Sequence, residues 1–142
     1  MSGREFAGDA LRMVLACHPS FLQVVRRTIQ EFGRLIGFDE EQITQVVAAV
    51  DEACANVIRH GYGGSCDEPM LLECRRTDEG LEVRLRDFGR RTDPERLRPF
   101  LRGDHKPGGL GLVIIYDAMD SVNFSADSDE GMELRMFKAF RK

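Results

Sequence analysis

From Asp39 to His60 the chain carries its longest helical pattern, and no other stretch constrains the fold as strongly. Ile43, Val46, Val47, Val50, Cys54 and Val57 recur at the spacing that places them on one face of a helix turning about 100° per residue. Glu52, Asn56 and His60 form a second stripe, about 110–130° away. Such a helix must bury its apolar stripe against another layer and keep the polar ridge beside it. Asp39-Glu40-Glu41 opens the pattern, at the helix end that favours negative charge, and Gly61, Gly63 and Gly64 close it.

The flanking segments supply that other layer. Ala10 to Ala16 alternates and reads as a strand bounded by His18-Pro19. Ser20 to Ile36 has helical spacing, with Ser20 as the expected cap after Pro19 and Gly37 as the stop. Met70 to Arg76 and Leu81 to Asp87 read as strands joined by the turn Thr77-Asp78-Glu79-Gly80. Leu110 to Ala118 reads as a helix starting at glycines. Ser121 to Ala126 and Glu133 to Phe140 read as a closing hairpin around Asp127 to Gly131. The order β-α-α-β-β-loop-α-β-β predicts an α/β two-layer sandwich. Its sheet is mixed and mostly antiparallel, with the helices on one face. Residues 1–142 are read as one domain, without repeats or linkers.

Composition narrows the function classes. With 42% hydrophobic and 31% charged residues, the chain has the make-up of a globular protein with a real core. Its net charge of −4 argues against direct nucleic-acid binding, which calls for a basic face. No apolar run approaches the ~18 residues of a membrane span, and no signal peptide is apparent. Cys17, Cys54, Cys66 and Cys74 contain no Cys-x-x-Cys pair, so they are read as reduced thiols of a cytoplasmic protein. The same spacing argues against a zinc site using His18 or His60.

Three constellations can carry chemistry. Asn56 can offer a carbonyl oxygen to Mg²⁺, a hard ion that prefers oxygen, and Glu52 can take a proton from an attacking hydroxyl. The plainer reading of both is a solvated helix face. Asp87 at a strand end can accept a hydrogen bond from an exocyclic amine such as that of adenine, and Gly89 has no side chain to obstruct a flat base. The letters Asp87-Phe88-Gly89 do not indicate a eukaryotic-type protein kinase, because the His-Arg-Asp loop and the Gly-rich loop with its lysine are missing. Finally, Gly108-Gly109-Leu110-Gly111-Leu112 opens a helix. Phosphate can there approach backbone N–H groups at the positive helix end. It is not a Walker A loop. The connection from Phe88 to Gly109 exceeds the ~12–15 residues usual for a structureless loop. Its Arg96, Arg98, Arg102, His105 and Lys106 either line a lid over phosphates or form solvated surface.

In order and spacing these motifs closely resemble the GHKL ATPase superfamily. They are Glu52-x-x-x-Asn56-x-x-x-His60-Gly61-Tyr62, then Asp87-x-Gly89 with Asp93-Pro94, then Pro107 to Leu112, then Met119-Asp120. Within that superfamily the chain resembles the RsbW/SpoIIAB branch of anti-sigma-factor serine/threonine kinases, over nearly its whole length. The resemblance implies a Bergerat-type sandwich that binds ATP with Mg²⁺. It implies phosphorylation of a STAS-domain anti-anti-sigma protein, sequestration of a sigma factor, and a homodimer. Glu52 would be the catalytic base and Asn56 the Mg²⁺ ligand. The nucleotide-binding set would be Asn56, His60, Asp87, Gly89, Lys106, Gly108, Gly109, Leu110, Gly111 and Leu112. One position departs from the pattern: many members read Asp-x-Gly-x-Gly, and Arg91 stands at the second glycine. A second hypothesis is a non-catalytic or weakly catalytic ATP-binding module that sequesters a partner other than a sigma factor. A third, a detached histidine-kinase catalytic domain, is disfavoured because no dimerising helical segment with a phosphoacceptor histidine is present.

Overall fold

A computed structural model describes residues 10–61, 68–89, 109–126 and 131–141. Its elements are β1 (Ala10–Ala16), α1 (Leu22–Ile36), α2 (Glu40–Asn56), β2 (Pro69–Arg76), β3 (Gly80–Arg86), α3 (Gly109–Ala118), β4 (Ser121–Ser125) and β5 (Glu133–Ala139). The order matches the sequence reading. The strands form one sheet in the order β1-β2-β3-β5-β4, and all four pairings are antiparallel. No parallel pair occurs among the described residues.

Local chemistry sets the element ends, and here two expectations are corrected. Ser20 is not a helix cap. His18 caps a short 3₁₀ turn, Pro19–Phe21, and its Nδ1 accepts from the Ser20 N–H at 3.4 Å. Pro19 fits the first turn because that position lacks a helical N–H partner in any case. α1 then starts at Leu22 with no side-chain cap. It ends at Gly37, whose φ of 100° is left-handed. There the Gly37 and Phe38 N–H groups satisfy the carbonyls of Arg34 and Gly33. The second correction concerns the Asp39–His60 helix, which is α-helical only as far as Asn56. Val57–Gly61 forms a π turn, a wider coil that changes the angular spacing of its residues relative to α2.

Asp39 does more than complement the helix dipole. It accepts from the Gln42 N–H at 2.8 Å, while Gln42 Oε1 accepts from the Asp39 N–H at 3.2 Å, a reciprocal capping box. Gln42 Nε2 also donates to the Ala139 carbonyl at 3.0 Å, fastening the start of α2 to the end of β5. Lys138 Nζ donates to the Ala118 carbonyl at 2.6 Å, fastening the end of α3 to the same end of the sheet.

The core lies between the sheet and the helices. Met70, Leu72, Cys74, Leu81, Val83, Leu85, Leu134 and Met136 face Val25, Ile29, Ile43, Val46, Val50, Cys54 and Ile115 in one cluster. Cys17, Cys54 and Cys74 are buried cysteines, not joined to one another by a disulfide. Burial pushes Cys54 upward and Cys74 up to about 12, so neither is a ready ligand or nucleophile. Among the described residues no group of three or more His, Cys, Asp or Glu could hold a metal. Nor is any described helix long and apolar enough to cross a membrane.

The other sheet face carries no helix among the described residues and is held by charge. Glu73 is only 5% exposed and accepts from Arg12 at 2.7 Å. Arg84 lies 3.6 Å from Glu73 and donates through Nε to Glu133 at 2.7 Å. Burial works to raise the Glu73 pKa, but the Arg12 hydrogen bond and the charges of Arg12, Arg84 and Arg75 hold it below the ordinary carboxylate value.

Candidate functional site

The two tethers decide where the site lies. Gln42–Ala139 and Lys138–Ala118 pin the start of α2 and the end of α3 at the C-terminal end of β5. The opposite ends of both helices therefore lie toward the start of β5. Asp87 is at that end, pairing with Met132 just before β5 begins.

Glu52 and Asn56 occupy the last turns of α2, both half-buried. The first turn of α3 lies against them at Gly111. A Cβ built on Gly111 would stand 2.7 Å from Glu52 Oε2 and 3.8 Å from Asn56 Oδ1. The two oxygens thus converge on one point, and a side chain at 111 would force the Glu52 carboxylate to give way. Gly111 has no positive φ, so its requirement is room rather than backbone freedom. The first turn of a helix leaves N–H groups without helical partners and carries partial positive charge. A carboxylate, an amide oxygen and an anion-attracting helix end therefore meet here. Leu112 and Ile115 are buried and anchor α3 in the core. Leu112 accordingly acts from the apolar side of the helix, holding its first turn in place.

Arg59 belongs to this cluster and was missed in the sequence. Its Nη2 donates to Asn56 Oδ1 at 2.7 Å and lies 3.9 Å from Glu52 Oε2. The signal was available, since Arg59 is three residues beyond Asn56 and seven beyond Glu52, spacings that share a helix face. His60 drew attention instead, as the next member of the i, i+4 series. The π turn breaks that series, and the His60 side chain is outside the described residues.

Asp87 is 5% exposed. Its Oδ1 accepts from the Gly89 N–H at 2.9 Å and the Met132 N–H at 3.3 Å. Burial raises its pKa, opposed by these two backbone bonds and by Arg86. Gly131, read from sequence only as a turn residue, packs beneath it. At φ 68°, a Cβ on Gly131 would stand 2.2 Å from the Asp87 carbonyl oxygen and 2.6 Å from Phe88 Cα. Gly89 contributes its N–H to Asp87, so it shapes this corner as well as leaving room beside it. Phe88 carries the Arg86 guanidinium 4.9 Å from its ring centroid.

Gly109 and Leu110 begin α3, as the phosphate-loop reading requires of their backbone. Lys106, Gly108 and the basic stretch from Arg96 to His105 lie outside the described residues, as do Arg91, Asp93 and Tyr62. The oxygen pair fits a magnesium ion in kind, because Mg²⁺ takes one or two protein oxygens and completes its shell with water and phosphate.

Comparison with known proteins identifies the family. A histidine kinase-like ATPase domain matches residues 16–138. The serine-protein kinase RsbW of Halalkalibacterium halodurans is 31% identical over 144 residues, covering 94% of this chain and 85% of that protein. The RsbW of Listeria innocua is 30% identical over 138 residues, covering 92% and 87%. Among solved structures, SiaB–SiaC from Pseudomonas aeruginosa superposes with a TM-score of 0.69 at 17% identity, covering 89% of this chain and 88% of the matched one. The RsbU and RsbW domains of a Mycobacterium tuberculosis protein give a TM-score of 0.67 at 16% identity. That match covers 94% of this chain and 34% of the longer one. With its converging Glu52, Asn56 and Gly111, the chain belongs to the histidine kinase-like ATPase domain family, among the RsbW-type serine-protein kinases.

Proposed function

We propose that this protein transfers the terminal phosphoryl group of ATP to a serine or threonine of a STAS-domain anti-anti-sigma protein. We further propose that it alternates this partner with a sigma factor that it withholds from RNA polymerase. The observation that carries the reading is the packing of Gly111 against Glu52 and Asn56. It brings a carboxylate, an amide oxygen and a helix N-terminus together, which supports the roles of proton acceptor, metal ligand and phosphate-attracting end.

Each residue then has a defined task. Asp87 spends Oδ1 on two backbone N–H groups, and its second carboxylate oxygen is suited to accept from the exocyclic amine of adenine. Gly109 and Gly111 would offer backbone N–H groups to phosphate, and Gly108, Leu110, Lys106 and His60 would be further nucleotide contacts. Asn56 would ligate Mg²⁺, whose chemistry when bound is to neutralise phosphate charge. Glu52 would take the proton of the acceptor hydroxyl as its oxygen bonds to phosphorus and the bond to ADP breaks. The protein would work in the cytoplasm as a homodimeric single domain.

The test is transfer of labelled phosphate from Mg-ATP to a STAS-domain protein, with the acceptor residue mapped. A wild-type protein that binds ATP and its partner yet transfers nothing would replace the kinase with a nucleotide-dependent sequestering module.

A further inference from the structure

Arg59 is not accounted for by that reading, and its position bears on it directly. The guanidinium donates to Asn56 Oδ1 at 2.7 Å, the very oxygen assigned to the metal, and stands 3.9 Å from Glu52 Oε2. A permanent cation therefore covers the metal ligand and stands beside the neighbouring carboxylate. A divalent ion on the same oxygen would lie within a few ångströms of that charge and be repelled by it. We infer that Arg59 is a built-in competitor of Mg²⁺ for Asn56, a latch that sets how much metal the site needs before it loads. The inference rests on the assignment of Asn56 as the metal ligand.

The surroundings suit a latch that opens. The Arg59 side chain is 53% exposed, so it can swing into water without stranding a buried charge. It sits in the π turn Val57–Gly61, and such turns often mark functional positions in helices. The same swing removes the cation from Glu52. Metal loading and unmasking of the proton acceptor thus become one event. A half-exposed charged contact is weak, so the latch is soft and shifts the metal requirement by about three- to fivefold rather than blocking it.

The experiment follows the unfolding temperature at fixed ATP while MgCl₂ is titrated, in wild type, Arg59→Gln, Arg59→Lys and Asn56→Ala, and in Asn56→Ala combined with Arg59→Gln. In Arg59→Gln the half-maximal Mg²⁺ concentration should fall about three- to fivefold, and in Arg59→Lys it should stay near wild type. Arg59→Gln should have no such effect once Asn56 is alanine, because the competition is for that oxygen. An unchanged Mg²⁺ midpoint in Arg59→Gln, with ATP and Mg²⁺ still stabilising the protein, overturns the latch and leaves the ATP site standing. The same shift in the Asn56→Ala background also overturns it, since the effect would then be general electrostatics. If ATP with Mg²⁺ stabilises none of the proteins, the ATP-site reading fails and the latch with it.

Discussion

Substituting Gly111→Ala separates the chemistry of this site from its binding. The added methyl would stand 2.7 Å from Glu52 Oε2, whereas ordinary contact begins at 3.4 Å, so the carboxylate must retreat by about 0.7 Å. It can do so, because the atom in the way is the far end of a flexible side chain that is 29% exposed. An off-rotamer shift costs about 0.5–1.5 kcal/mol. Alanine regains up to about 1 kcal/mol of helix propensity over glycine. Net stability should therefore change by less than about 1 kcal/mol. Catalysis should not escape so lightly, since misplacing a reacting group by about 1 Å costs on the order of a hundredfold. The expected loss in kcat is roughly ten- to a hundredfold. Asn56 Oδ1 would be 3.8 Å from the same methyl, an ordinary contact, so Mg-dependent ATP binding should fall much less. The assay pairs labelled-phosphate transfer with thermal shift in Mg-ATP. Full transfer by a folded Gly111→Ala protein would show that Glu52 is not poised at this point for catalysis.

Glu52→Gln should keep ATP binding and lose transfer, while Asn56→Ala should weaken, without abolishing, the Mg²⁺-dependent part of ATP binding; both are read by calorimetric titration with and without EDTA. Gly131→Ala should destabilise the protein by at least about 1–3 kcal/mol in urea unfolding, because its φ is left-handed and its Cβ meets the Asp87 backbone rather than a movable side chain. Asp87 has a raised folded pKa, so its ionised form costs stability above that pKa, and the cost is relieved as pH falls through it. Asp87→Asn, which can still accept from the Met132 N–H, should hold or slightly raise stability at pH 7 while losing ATP binding. Glu73 has the opposite sign: its folded pKa is depressed, so its contribution is complete above the ordinary carboxylate value and lost as pH falls through the lower folded one. Glu73→Gln should cost about 1–3 kcal/mol at pH 7 and flatten the acid limb of a stability–pH curve.

Periodicity made the sandwich legible because its elements are strongly patterned. Asp39 to Asn56 buries the face that its spacing marks, and β3 alternates buried Leu81, Val83 and Leu85 with half-exposed Glu82, Arg84 and Arg86. What escaped was set by contacts between segments distant in sequence. Gln42 carries no sequence mark of burial, and it is buried where Ala139, 97 residues away, supplies a carbonyl. Gly131 looked like a turn residue, and only the pairing of Met132 with Asp87 reveals that it packs against the backbone of Asp87 and Phe88. Arg59 shares a face with Glu52, but a lone arginine on a helix carries no motif until its hydrogen-bond partner is known.

The placement of these long-range contacts bears on how the site can work. Both helices that build it are fastened at their far ends, α2 by Gln42 on Ala139 and α3 by Lys138 on Ala118, two polar anchors on neighbouring residues at the end of β5. At the near ends the contacts are of another kind: a glycine resting on a carboxylate, and an exposed arginine across an amide oxygen. Buried hydrogen bonds to backbone resist displacement, whereas an exposed ion pair yields for less than about 1 kcal/mol. The fold therefore fixes α2 and α3, with Leu112 and Cys54 buried at the near ends, while leaving the exposed side chain at their meeting point adjustable. On the proposed reading, a Mg²⁺ ion that displaces Arg59 from Asn56 needs to move one side chain and no secondary structure, which suits an ATP site that serves two alternating protein partners.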